Sequence, residues 1–204
     1  MTSHVVNDPR SRRFVARPVH KLVVLITLVA CAPKPSSQDD SATGRVDTSM
    51  SARTAADPGI SIVVHNAAGR ELGTLSMTET PTALNLSGTL RGLPPGTHGI
   101  HLHTVGRCEA PFKSAGDHWN PTNRLHGTEN PKGPHLGDLQ NITVAADSSA
   151  SVAVRSPGGT LRGANPVLDP DGASVVVHAD ADDNRTDPSG NSGDRIACGV
   201  VRAP

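Results

Sequence analysis

The stretch Ile60-Ser-Ile-Val-Val-His65, closed by Asn66-Ala-Ala-Gly69 and followed by Glu71–Thr80, decides the fold. A short apolar run bounded by turn formers reads as a strand, a reversal and a second strand. Outward from it the pattern repeats. Ala83–Leu93 carries Leu84, Leu86 and Leu90 in rough alternation, and Pro94-Pro95-Gly96 then breaks the chain. Gly99–Thr104, Gly137–Ala146, Ala150–Arg155, Ala173–His178 and Ile196–Val201 follow, giving about eight short strands and the expectation of an all-β sandwich or barrel. Residues 105–136 and 179–195 resist this reading. Both are long, rich in Gly, Asn and Asp, and non-periodic, which marks them as functional or disordered loops.

Composition narrows the classes of function. The 204 residues carry 19 Lys and Arg against 19 Asp and Glu, so no general basic face is available for nucleic acid. Phe14, Phe112 and Trp119 are the aromatic residues, too few for a base-stacking platform. The core must therefore be built from Val, Ile, Leu and Ala. The neutral balance hides an asymmetry. Five basic residues (Arg10, Arg12, Arg13, Arg17, Lys21) and Asp8 lie within residues 1–30, so the rest has 14 basic and 18 acidic residues. An anionic ligand would need locally placed positive charge.

The N-terminal segment reads as an export signal. Lys21 precedes the apolar run Leu22–Ala30, about 14 Å long as a helix and too short to span a bilayer. The ending Leu28-Val29-Ala30-Cys31 resembles the lipobox of bacterial lipoproteins, which implies a signal peptide over 1–30 and a lipid on Cys31. Ser11-Arg12-Arg13 is an imperfect match to a twin-arginine signal. Residues 31–57 hold only Val46 and Met50 as larger apolar residues after Cys31, and read as a disordered tether. The folded domain is expected over 58–204.

The histidines carry the chemistry. In Gly99-Ile100-His101-Leu102-His103, alternation sends both imidazoles to one face while Ile100 and Leu102 face the core. The loop that follows supplies His118, His126 and His135, then Asp138. Three imidazoles and a carboxylate make a complete tetrahedral set for zinc, and a loop this irregular needs such a clip to hold a shape. His178 ends a later strand candidate; with His101, His103 and one loop imidazole it offers an all-nitrogen site suited to Cu(II).

These words together resemble copper/zinc superoxide dismutase. The matching segments are Gly99-Ile-His-Leu-His103, Ser114-Ala-Gly-Asp-His-Trp-Asn-Pro121, His135-Leu-Gly-Asp-Leu139, Val176-Val-His-Ala-Asp-Ala-Asp-Asp183 and Gly190-Asn-Ser-Gly-Asp-Arg-Ile-Ala-Cys-Gly-Val200. The resemblance spans about residues 59–202. It implies an eight-stranded Greek-key β-sandwich or barrel with two long functional loops. It implies one copper per chain on His101, His103, His118 and His178, and one zinc on His118, His126, His135 and Asp138. His118 would bridge the two as an imidazolate. Asp182 would link His101 and His126 from behind, Cys108 and Cys198 would form a disulfide, and Arg195 would guide the anionic substrate. His98 reads as packing behind the site, and His65 as lying outside it.

The activity implied is an oxidoreductase that converts two superoxide anions to dioxygen and hydrogen peroxide by alternating Cu(II) and Cu(I). Its setting would be the periplasm or cell envelope, with a membrane attachment through the lipid on Cys31. Homodimer and monomer both stay open. One departure stands out: Pro188 occupies a place where many eukaryotic relatives have a lysine, and Arg185, Lys113, Arg124 and Lys132 are the candidates to replace it. The competing readings are a metal-binding protein without catalysis, as a copper or zinc buffer or a chaperone-like relative, and a structural surface lipoprotein.

Overall fold

The computed structural model describes residues 59–203. The expected signal, the lipid-bearing Cys31 and the tether fall outside these residues. Nine strands form: β1 (Ile60–Asn66), β2 (Glu71–Thr80), β3 (Ala83–Arg91), β4 (Gly96–His98), β5 (Ile100–His103), β6 (Ile142–Val144), β7 (Ser149–Pro157), β8 (Ala173–His178) and β9 (Arg195–Val201). One 3-10 turn, Lys113–Ala115, is the sole helical element among the described residues.

Seven strands make one curled antiparallel sheet in the order β5-β8-β9-β1-β2-β3-β7, and β4 pairs with β6 separately. β9 returns beside β1 and β7 beside β3, the non-sequential pairing of Greek-key folds. Alternation selects the core. In β1, Ile60, Ile62 and Val64 are buried, whereas Ser61 and Val63 face solvent. In β7, Ala150, Val152 and Val154 do the same. Leu75, Leu86, Leu90, Ile100, Leu102, Val175 and Val177 join them in one aliphatic core.

Two expected boundaries shift. The strand read over Gly137–Ala146 shrinks to Ile142–Val144, because Gly137 and Asp138 are drawn into the loop against β5. The break read at Pro94-Pro95-Gly96 ends sooner, because Gly96–His98 finds an antiparallel partner in β6.

β8 is buried at all six positions. Val175 and Val177 face the aliphatic core. Val176, on the other face, packs with Phe112, Ala115 and Cys198 beneath the long loop. That loop is fastened to β9 by the Cys108–Cys198 disulfide, with Cα atoms 5.7 Å apart. The two cysteines are 90 residues apart in sequence, and closing a loop of that length contributes roughly 4–5 kcal/mol in the chain-entropy account. The second face of β8 and β5 thus has a dry cover, which is where the histidines gather.

Candidate metal centre

β5 is an edge strand, and an unpaired edge asks for a partner. The long loop supplies one. Trp119 N–H donates to the Leu102 carbonyl at 2.8 Å, Leu102 N–H to Gly137 O at 2.9 Å, and Gly137 N–H to Trp119 O at 2.8 Å. Bridges form between His103 and His118 and between His101 and Asp138. Gly137 must be glycine for this approach, since a Cβ there would sit 2.4 Å from the Leu102 oxygen. The irregular loop is thereby ordered by main-chain pairing, and its ligating residues are set beside those of β5. On the other side of β5, His103 lies opposite Ser174, two residues of β8 before Val176 and four before His178. A register shift between Val177 and His178 re-aims the last residue of β8.

Two groups result, each with donor atoms within 4.8 Å of one another: His101, His103, His118 and His178; and His118, His126, His135 and Asp138. His118 belongs to both. All seven residues are buried, from fully enclosed His101, His103 and His126 to His118 and His135 at 7% exposure.

In the first group each ring has one nitrogen held and one free. His101 Nε2 bonds Asp182 Oδ2 at 2.7 Å, His103 Nδ1 donates to Gly116 O at 2.9 Å, and His178 Nδ1 to Gly193 O at 3.3 Å. The other nitrogens, His101 Nδ1, His103 Nε2, His118 Nε2 and His178 Nε2, are buried with no hydrogen-bond partner. A buried unsatisfied polar atom costs about 1–3 kcal/mol, so four amount to roughly 4–12 kcal/mol, comparable to the whole stability of a domain. Four convergent lone pairs of this kind fit a nitrogen-preferring cation such as copper.

In the second group three Nδ1 atoms converge on one oxygen. Asp138 Oδ1 lies 2.9 Å from His118, 3.0 Å from His126 and 3.2 Å from His135. Asp138 Oδ2 accepts the Gly127 and His135 main-chain N–H groups at 2.9 and 3.0 Å. This N3O donor set fits zinc, and it carries its own negative charge.

Asp182 stands behind both groups. Its Oδ2 meets His101, and its Oδ1 meets His126 Nε2 at 3.0 Å. Asn141 holds it in turn: Asn141 Nδ2 donates to the Asp182 carbonyl at 2.8 Å, and Asn141 Oδ1 accepts the Asp182 N–H at 2.9 Å. Such outer partners fix ring tautomer and orientation.

The electrostatics follow the geometry. Burial is the largest influence on His118 and His178, lowering them from 6.5 to about 4 and about 3. Burial also lowers His103, helped by the charges of His118 and Arg195. At His126 burial works downward but hydrogen bonds to Asp138 and Asp182 prevail, raising it to about 9. Asp138 and Asp182 resist burial through their histidine hydrogen bonds and are held well below the ordinary carboxylate range.

Arg195 opens β9, half-buried, with Nη1 donating to Phe112 O at 2.8 Å. It lines a cavity of about 900 Å3 together with Lys113, Asp117, Asp194 and the Asn66–Ala68 turn. Of the four candidate replacements for the missing lysine, Lys113 shares this cavity. Arg185 is instead ion-paired with Glu129, Arg124 donates to Gly133 O at 3.1 Å, and Lys132 is exposed elsewhere. His98 is buried, its Nδ1 2.8 Å from the His178 carbonyl and its Nε2 2.9 Å from Pro94 O; His65 lies on β1, outside both groups.

The sequence points to the ligating side chains and to Asp182 behind them, but not to the other supports. Asn141 has no local signature, and Gly116 and Gly193 act through main-chain carbonyls, which leave no side-chain pattern to read.

Comparison with known proteins converges on one family. The model of the family described as copper/zinc superoxide dismutase (SODC) matches residues 71–201. The Cu-Zn superoxide dismutase of Caulobacter vibrioides is 43% identical over 145 residues, covering 69% of this chain and 83% of the relative. The superoxide dismutase-like protein YojM of Bacillus subtilis is 35% identical over 193 residues, covering 90% and 96%. Among solved structures, a SOD-like protein from Bacillus subtilis aligns with a TM-score of 0.67 at 36% identity, covering 70% of this chain and 98% of that one. The Cu/Zn superoxide dismutase from Brucella abortus aligns with a TM-score of 0.57 at 29% identity, covering 69% and 97%.

Proposed function

Because the chain belongs to the copper/zinc superoxide dismutase family, we propose that it converts two superoxide anions and two protons to dioxygen and hydrogen peroxide. The observation that carries this reading is the shared ring of His118, whose Nε2 is one of four free convergent nitrogens while its Nδ1 faces Asp138. His101, His103, His118 and His178 would hold one copper; His118, His126, His135 and Asp138 would hold one zinc. Copper, when bound, supplies the one-electron exchange with oxygen species, and zinc, with no redox change of its own, supplies fixed positive charge.

The chain's residues do the rest. Arg195 binds the anion: its charge is permanent, its Nη1 is anchored on Phe112 O, and its field reaches His103 and His178. Lys113 adds a second cation to the same cavity, and Asp117 and Asp194 oppose it. His118 holds and releases a proton at Nε2. That nitrogen is buried with no hydrogen-bond partner of its own, so a proton arriving there can be passed on to reduced oxygen. Asp138 and Asp182 stay ionised and keep the His118, His126 and His101 rings in register. The hydrophobic cover of Phe112, Ala115 and Val176 keeps water off the rear of the site.

The N-terminal segment supports the setting. With the signal over 1–30 removed, lipid on Cys31 and the tether over 31–57, the domain over 58–204 works in the periplasm or cell envelope, protecting it from superoxide. The Cys108–Cys198 disulfide suits that oxidising compartment. The test is to load the full chain with copper and zinc, measure metal content and assay superoxide dismutation. One copper, one zinc and dismutation are expected; stoichiometric metals without dismutation would favour a metal buffer. Mass spectrometry of the processed chain checks the lipid on Cys31, and an unmodified mature N-terminus would remove the membrane attachment.

A further inference from the structure

Among the three imidazoles around Asp138, the outer nitrogens have different fates. His118 Nε2 belongs to the four-nitrogen group, and His126 Nε2 meets Asp182. His135 Nε2 faces Asp187 Oδ1, 4.0 Å away. The same Asp187 oxygen accepts the main-chain N–H of His126 at 2.6 Å. One carboxylate oxygen thus grips the backbone of one ligand and faces the ring of another.

Asp187 does not arrive there by chance of a loose side chain. Its segment, 183–187, is laid against residues 126–130 by a series of contacts. Glu129 N–H donates to Asn184 O at 3.0 Å, Thr128 Oγ1 to Asn184 Oδ1 at 3.1 Å, and Arg185 pairs with Glu129. Asp183 braces the turn by accepting the Arg185 and Thr186 N–H groups at 2.9 and 2.8 Å. A ligating imidazole almost always gives its other N–H to a carboxylate, a carbonyl or a water. Among the described residues, the carboxylate that faces this nitrogen of His135 is Asp187. The separation of 4.0 Å suits a bridging water or a closure of about 1 Å.

We propose that Asp187 is a positioning residue of the zinc site, orienting His135 through its outer nitrogen and fixing His126 through its main-chain N–H. This rests on the zinc assignment made above. The loop over 179–195 then serves the metals twice, carrying Asp182 to the back of both groups and Asp187 to the outside of one.

The test uses the full chain and two variants. Asp187→Asn keeps an oxygen for the His126 N–H and removes the charge that faces His135; Asp187→Ala removes both. Zinc affinity is read by chelator competition, and the geometry of the site by the visible spectrum of Co(II) put in place of zinc. Asp187→Ala is expected to lose roughly 10- to 100-fold in zinc affinity and Asp187→Asn a smaller factor. Both should shift the cobalt bands and leave the copper spectrum as it is. A merely structural loss would lower stability without moving the cobalt bands, and that result overturns the proposal. So does zinc affinity within about twofold of wild type in Asp187→Ala. If that variant does not fold, Asp187→Asn decides by the same two readouts. A wild-type chain that takes up no zinc would instead overturn the zinc assignment, and this proposal with it.

Discussion

Gly190→Ala crowds the carboxylate on which both metal groups lean, together with the His126 ring beside it. Gly190 has φ +62, and a Cβ built there would lie 1.8 Å from Asp182 Oδ1 and 2.7 Å from His126 Nε2. Ordinary contact begins near 3.4 Å, so the Asp182 carboxylate must retreat by about 1.6 Å. Its bonds of 2.7 Å to His101 and 3.0 Å to His126 cannot survive that shift. Loss of such an outer partner typically costs 10- to 100-fold in metal affinity, about 1.4–2.7 kcal/mol. The left-handed backbone adds roughly 1–2 kcal/mol of strain for any residue with a Cβ. Gly69→Ala separates the two effects, because Gly69 has φ +77 and a Cβ there meets nothing within 4 Å. Both variants should melt lower, by about 2–4 °C per kcal/mol in a chain of this size. Only Gly190→Ala should release zinc to a chelator at roughly 10- to 100-fold lower competitor. Zinc retained as firmly in Gly190→Ala as in Gly69→Ala would refute the claim that Asp182 orients the ligands.

Three further outcomes are expected. Arg195→Ala should turn over more slowly and with a weaker salt dependence while keeping its copper and zinc; loss of copper, measured by metal analysis, would mean the guanidinium has a different role. His118→Ala should weaken zinc and alter the copper spectrum together, since one ring serves both groups; an unchanged spectrum would contradict the shared ligand. The metal-stripped protein should be most stable near pH 6.5. His118 and His178, lowered by burial to about 4 and about 3, are protonated first in the unfolded chain, so stability falls as pH drops from 6.5. His126 is raised to about 9 by Asp138 and Asp182 against the pull of burial, so its contribution is full below 6.5 and fades as pH rises to 9. Thermal melts across that range, after chelation, check the maximum; a melting point that rises steadily with pH would contradict it.

The ligands were legible because their signal is local. His101 and His103 share a face by strand period alone, and Asp138 follows His135 by three residues within one turn-rich word. The strands were legible where turns bound them, as at Asn66–Gly69. What escaped is set by distant partners. Gly96–His98 is a strand only because Ile142–Val144 comes alongside, and Gly137-Asp138 leaves its apolar run only because the edge of β5 takes it. Asp187 looks like one more acid in a polar loop until its oxygen is found against His126 and His135.

The two groups also differ in how they balance charge, and this orders their roles. The Asp138 group contains its own anion, so a dication there loses part of its charge to a ligand and is gripped by three rings that already point at one oxygen. The four-imidazole group has no carboxylate among its four members, only Asp182 behind His101, and the positive Arg195 acts on its rings. A cation held there would keep more of its charge than one beside Asp138. With Arg195 beside it, the four-nitrogen side is the one that an anion would approach. His118 is the ring that belongs to both regimes. Its Nδ1 faces Asp138 on the side with the carboxylate, so its Nε2 stands free on the four-imidazole side while the ring stays held from the other.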